Sequence, residues 1–200
     1  MKHAPVILIY SRLVIGSLLV FLSWLKLESF PIVAIVLISI GLLTDVFDGI
    51  IARQLKVSTE KLRRLDSTVD QIFWLLVVGA VYLECQSFFE LNALKLLVLL
   101  ALEVATYAIC FIKFRKEIAT HSWGAKLWVL ISFATLIQII TTCKSGVLFN
   151  ICFCIGVVSR IEIIVIILIL KGWVNDVPTF YHALLLRKNK PIKRHKLFNG

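Results

Sequence analysis

The chain has 200 residues, 60% of them hydrophobic, a mean hydropathy of +0.93 and a formal net charge of +10. No soluble domain of this size hides so large an apolar fraction in one core. The ten-residue polar–apolar alternation of a membrane barrel is missing, which leaves an all-α integral membrane protein whose helices satisfy their own backbone.

Six stretches approach the roughly 20 apolar residues that cross a bilayer. They run over 5–25, 31–52, 67–89, 93–114, 125–143 and 147–171. The first is long and is followed by no small-residue cleavage site, so it reads as an uncleaved span. Pro31 opens the second, where a missing N–H costs little. The connections are short, as in an antiparallel bundle. There is no internal repeat and no room for a separate soluble domain. Residues 1–171 therefore form one six-span domain, and 172–200 form a basic tail. Its one amphipathic piece, FYHALLL, is expected on the membrane surface.

Basic residues gather at alternate ends of these spans. Arg53, Lys56, Lys61, Arg63 and Arg64 follow the second, and Lys113, Arg115, Lys116 and Lys126 follow the fourth. Arg187, Lys188, Lys190, Lys193, Arg194 and Lys196 lie in the tail, whereas the opposite side holds only Lys26, Lys95 and Lys144. The positive-inside rule then places both termini in the cytoplasm. The charge serves topology and lipid headgroups, and no nucleic acid is expected as a partner. Trp24, Trp123, Trp128, Trp173 and Tyr181 sit near span ends, as interfacial belt residues do. Five cysteines, Cys85, Cys110, Cys143, Cys152 and Cys154, form no CxxC pair and are expected as free thiols.

The segment TDVFDGIIAR, Thr44 to Arg53, ends the second span. Asp45 lies about 21 Å along the helix from Pro31, inside the cytoplasmic half of the membrane. Asp48 follows one turn on, on the same face. After a loop of about a dozen residues, the third span is expected to open with Asp66 and Asp70, again one turn apart. Four carboxylates thus converge on one cytoplasm-facing site. Intramembrane charges are costly and need a partner. One reading pairs them with Arg53, Arg63 and Arg64 as headgroup-level acids. The other gathers hard oxygen ligands around Mg²⁺ or Mn²⁺. Gly49 leaves space beside them, Ala52 continues the small face, and Arg53 offers a fixed cation to phosphate. Together these point to a reacting diphosphate.

The pattern Asp45-x2-Asp48-Gly49-x2-Ala52-Arg53-x8-Leu62-x3-Asp66-x3-Asp70 resembles the signature of the CDP-alcohol phosphatidyltransferase family. Seven of its eight fixed positions match with the spacing intact. At Leu62 the family has glycine beside the nucleotide, so this departure bears on nucleotide fit and on the start of the helix. Arg12 resembles an arginine often found in the family's first span, although Val6 and Ile9 replace the asparagine and threonine that often precede it. The resemblance implies a six-span enzyme of phospholipid synthesis. A CDP-alcohol, most often CDP-diacylglycerol, gives its substituted phosphate to a small polar alcohol and releases CMP. It implies Asp45, Asp48, Asp66 and Asp70 as metal ligands, with Asp70 also the general base. It implies Asp45, Gly49, Ala52 and Arg53 as the CDP site, a membrane address equivalent to a cell inner membrane, and a homodimer. Glycerol 3-phosphate is the first expectation for the acceptor, with inositol phosphate, inositol, serine or an amino alcohol as alternatives.

Arg160 and Glu162 interrupt the sixth span, and Glu103 the fourth. Two residues apart, Arg160 and Glu162 face different ways and need partners on other helices. Arg160, with Lys113, Arg115 and Lys126, is a candidate for an acceptor or headgroup phosphate. The alternative is an interhelix ion pair between Arg160 and Glu103. His121 is expected to be exposed. Other function classes fit less well. A prenyltransferase normally draws its acidic motifs from helices far apart in sequence, and an acid-lined cation carrier gives Gly49, Ala52 and Arg53 no role. A non-catalytic relative would keep the fold, with Leu62 the feature favouring it.

Overall fold

A computed structural model describes residues 4–55, 57–116, 122–174 and 177–190. Lys56, His121, Lys193, Arg194 and Lys196 lie outside the described residues. Among those described there are eight helices and no strand. They are α1 Ala4–Trp24, α2 Phe30–Gln54, α3 Glu60–Glu84, α4 Gln86–Leu91, α5 Ala93–Phe114, α6 Trp123–Thr142, α7 Val147–Ile169 and α8 Phe180–Arg187. All but α4 and α8 are long and apolar enough to cross a membrane. Ile7, Val14, Ile32, Leu97 and Val158 are among many large apolar side chains on the outside. Water penalises such a surface and lipid does not.

Five spans fall within two residues of their expected bounds, and the third does not. Helix α3 begins at Glu60, seven residues before the apolar run. The reason is local. Thr59 is an extended N-cap whose Oγ1 accepts the Leu62 N–H at 3.2 Å, and Glu60 complements the dipole in the first turn. The polar sequence EKLRR is thus helix rather than loop. Residues 55–59 alone connect α2 to α3, so the loop is about half the expected length. Asp66 and Asp70 lie inside the helix instead of at its opening.

The chain divides into two compact units. The first comprises residues 1–90 with 137–144. In it α1 packs against both α2 and α3. Phe73 of α3, 1% exposed, is seated where Gly16 of α1 and Gly41 of α2 leave room. A Cβ on Gly41 would overlap the tip of the Phe73 ring. Gly41→Ala is therefore expected to destabilise the protein by about 1–3 kcal/mol, read as a lower melting temperature in detergent. Gly79, with nothing near its missing Cβ, is the control.

At the far end of this unit, Ser23 Oγ donates to the Ala80 carbonyl at 2.9 Å, and Lys26 Nζ meets the Leu83 carbonyl. Cys85, the C-cap of α3, is joined to Cys143, just past α6, in a disulfide with the Cα atoms 5.1 Å apart. This corrects the expectation of five free thiols: only Cys110, Cys152 and Cys154 are free. Two cysteines separated by 58 residues leave no local trace in a sequence.

The second unit comprises residues 91–136 and 145–200. Here α5 and α8 each pack on α7. Helix α8 buries Ala183 against Ile166, Leu170 and Val177 while Phe180, Tyr181 and Leu184 stay exposed. The amphipathic piece of the tail is thus docked on the bundle. Arg160 pairs with Glu103 of α5, Nε to Oε2 at 2.6 Å, and lies 4.6 Å over the Trp128 ring. Gly156 leaves the gap for that ring. Trp128 is therefore an interior partner, not a belt residue, while Trp24, Trp123 and Tyr181 are exposed.

Candidate metal centre

Helix α2 presents Asp45 and Asp48 one turn apart, and α3 presents Asp66 and Asp70 with the same logic. The five-residue connection keeps the end of α2 near the start of α3, both helices pack on α1, and their carboxylates meet around its Arg12. Asp45, Asp48 and Asp66 each offer an oxygen within 4.8 Å of the others. Asp48 is the floor, its side chain 3% exposed, while those of Asp45, Asp66 and Asp70 are between 24% and 38% exposed. The exposed edges give a ligand access, and the buried floor keeps one carboxylate out of bulk water.

The centre of the cluster is Arg12 of α1, fully buried. Its Nη1 lies 2.9 Å from Asp45, and its Nη2 lies 2.5 Å from both Asp48 and Asp66. It is also paired with Asp70. One planar guanidinium thus ties two helices to a third through four carboxylates, which a single-point ammonium could not do. From the sequence alone this residue carries only a family likeness and no role. A signal was present: a lone arginine in an apolar first span must find an acidic partner inside the membrane.

Next to the cluster, Ala52 is buried. The nearest atoms to the missing Cβ of Gly49 all belong to the Arg53 guanidinium, the closest at 3.4 Å. Gly49 and Arg53 therefore share one small patch a turn beyond Asp45. Leu62, half-buried in the first turn of α3, gives its N–H to Thr59. The helix starts normally despite the missing glycine.

The donor set suits a hard divalent cation. The candidate donors are all carboxylate oxygens, and those of Asp45, Asp48 and Asp66 are close enough to share an ion. Four carboxylates converge on the single guanidinium of Arg12, and such a gathering of hard oxygen donors suits a further cation.

An all-helical bundle with six candidate spans and an acidic cluster between its first helices defines an integral membrane protein with a metal-type site. A family model for CDP-alcohol phosphatidyltransferase matches residues 2–170, and the chain belongs to that family. Its members transfer phosphatidyl groups from CDP-alcohols in membrane phospholipid synthesis and generally use a divalent metal. No curated protein and no solved structure matches the chain.

The other predicted residues belong to the second unit. Arg160 is held by Glu103, the ion-pair reading of that arginine. Glu162 faces elsewhere, towards Gly124 at the start of α6. Lys113 Nζ donates to the Ile167 and Leu168 carbonyls at 2.9 and 2.7 Å, closing the end of α7. Arg115 is the left-handed C-cap of α5. Lys113 and Arg115 thus have structural work at helix ends.

Proposed function

We propose that the protein transfers the phosphatidyl group of CDP-diacylglycerol to a small polar alcohol, with glycerol 3-phosphate the first candidate, and releases CMP. The convergence of Asp45, Asp48, Asp66 and Asp70 around Arg12 carries this reading. Asp45, Asp48 and Asp66 would hold Mg²⁺ or Mn²⁺, with Asp70 able to join them. When bound, the metal supplies positive charge to the diphosphate and to the departing CMP. Arg53 attracts a phosphate of the donor, and Gly49 and Ala52 let the nucleotide approach the backbone. Arg12 keeps the carboxylates together as the ligands come and go.

Asp70 is the general base. Its carboxylate takes the proton of the acceptor hydroxyl as that oxygen bonds to the phosphorus bearing the diacylglycerol. The bond from that phosphorus to the bridging oxygen breaks, and CMP leaves with the electron pair. The donor arrives sideways from the bilayer, while the acceptor and CMP use the polar side. The excess of lysine and arginine at the carboxylate end supports a cytoplasm-facing site with both termini cytoplasmic. In a bacterial cell this is the inner membrane. A homodimer is proposed from family membership.

The test supplies labelled glycerol 3-phosphate, inositol phosphate, inositol or serine, one per reaction, to purified protein with CDP-diacylglycerol. Label entering the lipid fraction from glycerol 3-phosphate supports the proposed acceptor. Label from another alcohol reassigns it, and label from none, in protein that binds donor and metal, rules out this set. Gly49→Ala meets little steric resistance in the fold. It is expected to raise the KM for CDP-diacylglycerol about tenfold with melting temperature unchanged, because one methyl intrudes on the nucleotide.

A further inference from the structure

The disulfide lies at the opposite end of the first unit from the carboxylates. Cys85 is 15 residues beyond Asp70 on a continuous helix, which is about 22 Å. The polar groups around it differ in kind from those at the other end. Lys26, Glu28, Glu84, Glu90 and Lys144 mix the two signs, whereas Arg53, Lys61, Arg63 and Arg64 outnumber Glu60 beside the carboxylates at the other end. A structural disulfide persists in an oxidising compartment and not in a reducing cytosol. Two independent features, cysteine pairing and charge, therefore assign the two ends to different compartments.

We propose that Cys85–Cys143 is a sided brace, formed on the non-cytoplasmic face and fixing the far end of the helix that carries Asp66 and Asp70. Helix α3 is then held at both ends: by Arg12 through its carboxylates, and by the disulfide together with Ser23 and Lys26. The bond forms by thiol–disulfide exchange. The Cys85 and Cys143 thiols give up two protons and two electrons, and a disulfide-carrying oxidant of that compartment becomes a dithiol. Its sidedness deepens the cytoplasm-facing reading above, but its existence does not depend on catalysis.

Neither readout of the test needs turnover. The first is the number of thiols alkylated after acid quenching and denaturation of intact cells. Three, from Cys110, Cys152 and Cys154, is expected, rising to five after reduction. Five without reductant overturns the proposal. The second uses Glu28→Cys and Lys61→Cys, each in a Cys154→Ser background, with a membrane-impermeant maleimide. Glu28→Cys is expected to label in intact cells and Lys61→Cys only after permeabilisation. The reverse pattern overturns the sidedness and, with it, the cytoplasmic site. For the brace itself, reductant is expected to lower the melting temperature of the wild type but not of Cys85→Ser/Cys143→Ser. Equal shifts, or none, show that the bond does not hold α3. Should the double variant fail to fold, wild-type protein melted with and without reductant still decides.

Discussion

Asp48→Asn is expected to lower the rate of CMP release by about a thousandfold while the protein remains folded. Asp48 is the buried floor of the cluster, 3% exposed, and Arg12 Nη2 approaches it at 2.5 Å. Asparagine keeps the shape and can still accept from Arg12, so the packing survives. It lacks the negative charge that a cation would use. In a site shielded from water, losing one preorganised electrostatic contact costs about 10²–10³ in rate, and a buried carboxylate proposed to hold the cation belongs at the upper end. Asp45→Asn should cost less, about tenfold to a hundredfold, because Asp45 is 38% exposed and water can take its place. The check is initial-rate kinetics on both variants beside their melting curves. Equal loss in the two would mean that burial does not rank these ligands.

Arg12→Met is expected to have the largest effect on stability. The side chain is fully buried and paired with four carboxylates from two other helices. Methionine matches much of the volume but leaves those acids without their shared cation. Removing one partner of a buried ionic set costs about 3–5 kcal/mol, mostly through the charge left behind. A divalent cation can restore part of that charge balance. Mn²⁺ should therefore raise the melting temperature of Arg12→Met more than that of the wild type, since binding to the folded state stabilises it by mass action. Arg12→Lys should fall between them, because one ammonium cannot bridge the four carboxylates as a guanidinium does. Identical Mn²⁺ shifts in wild type and Arg12→Met would separate Arg12 from the metal-binding set.

The membrane fold was legible because hydropathy is a local property. Five spans could be bounded closely from apolar runs alone. The third could not, since its first two turns are polar and its start rests on the Thr59 cap. The carboxylate cluster was legible because its spacing within each helix is local and a short connection keeps the end of α2 near the start of α3; that α1 packs against both was not. Arg12 was only half legible. Its presence in an apolar span was visible, but its four partners lie 33 or more residues away in sequence. The Cys85–Cys143 bond and the Arg160–Glu103 pair are long-range in the same sense, set by which helices pack together. Trp128 illustrates the limit of the belt rule. A position near a span end does not distinguish a ring in the interface from one under an arginine.

The carboxylate cluster is proposed to use a divalent metal to let a CDP-linked lipid react with an alcohol. The most direct measurement is CMP release by purified protein from CDP-diacylglycerol and the accepted alcohol, with Mg²⁺ or Mn²⁺, after chelation, and in Asp70→Asn. CMP should accumulate only with metal and acceptor together, and Asp70→Asn should still bind donor and metal yet release almost none. Undiminished release after chelation would rule out the metal, and a wild-type rate from Asp70→Asn would rule out Asp70 as the base.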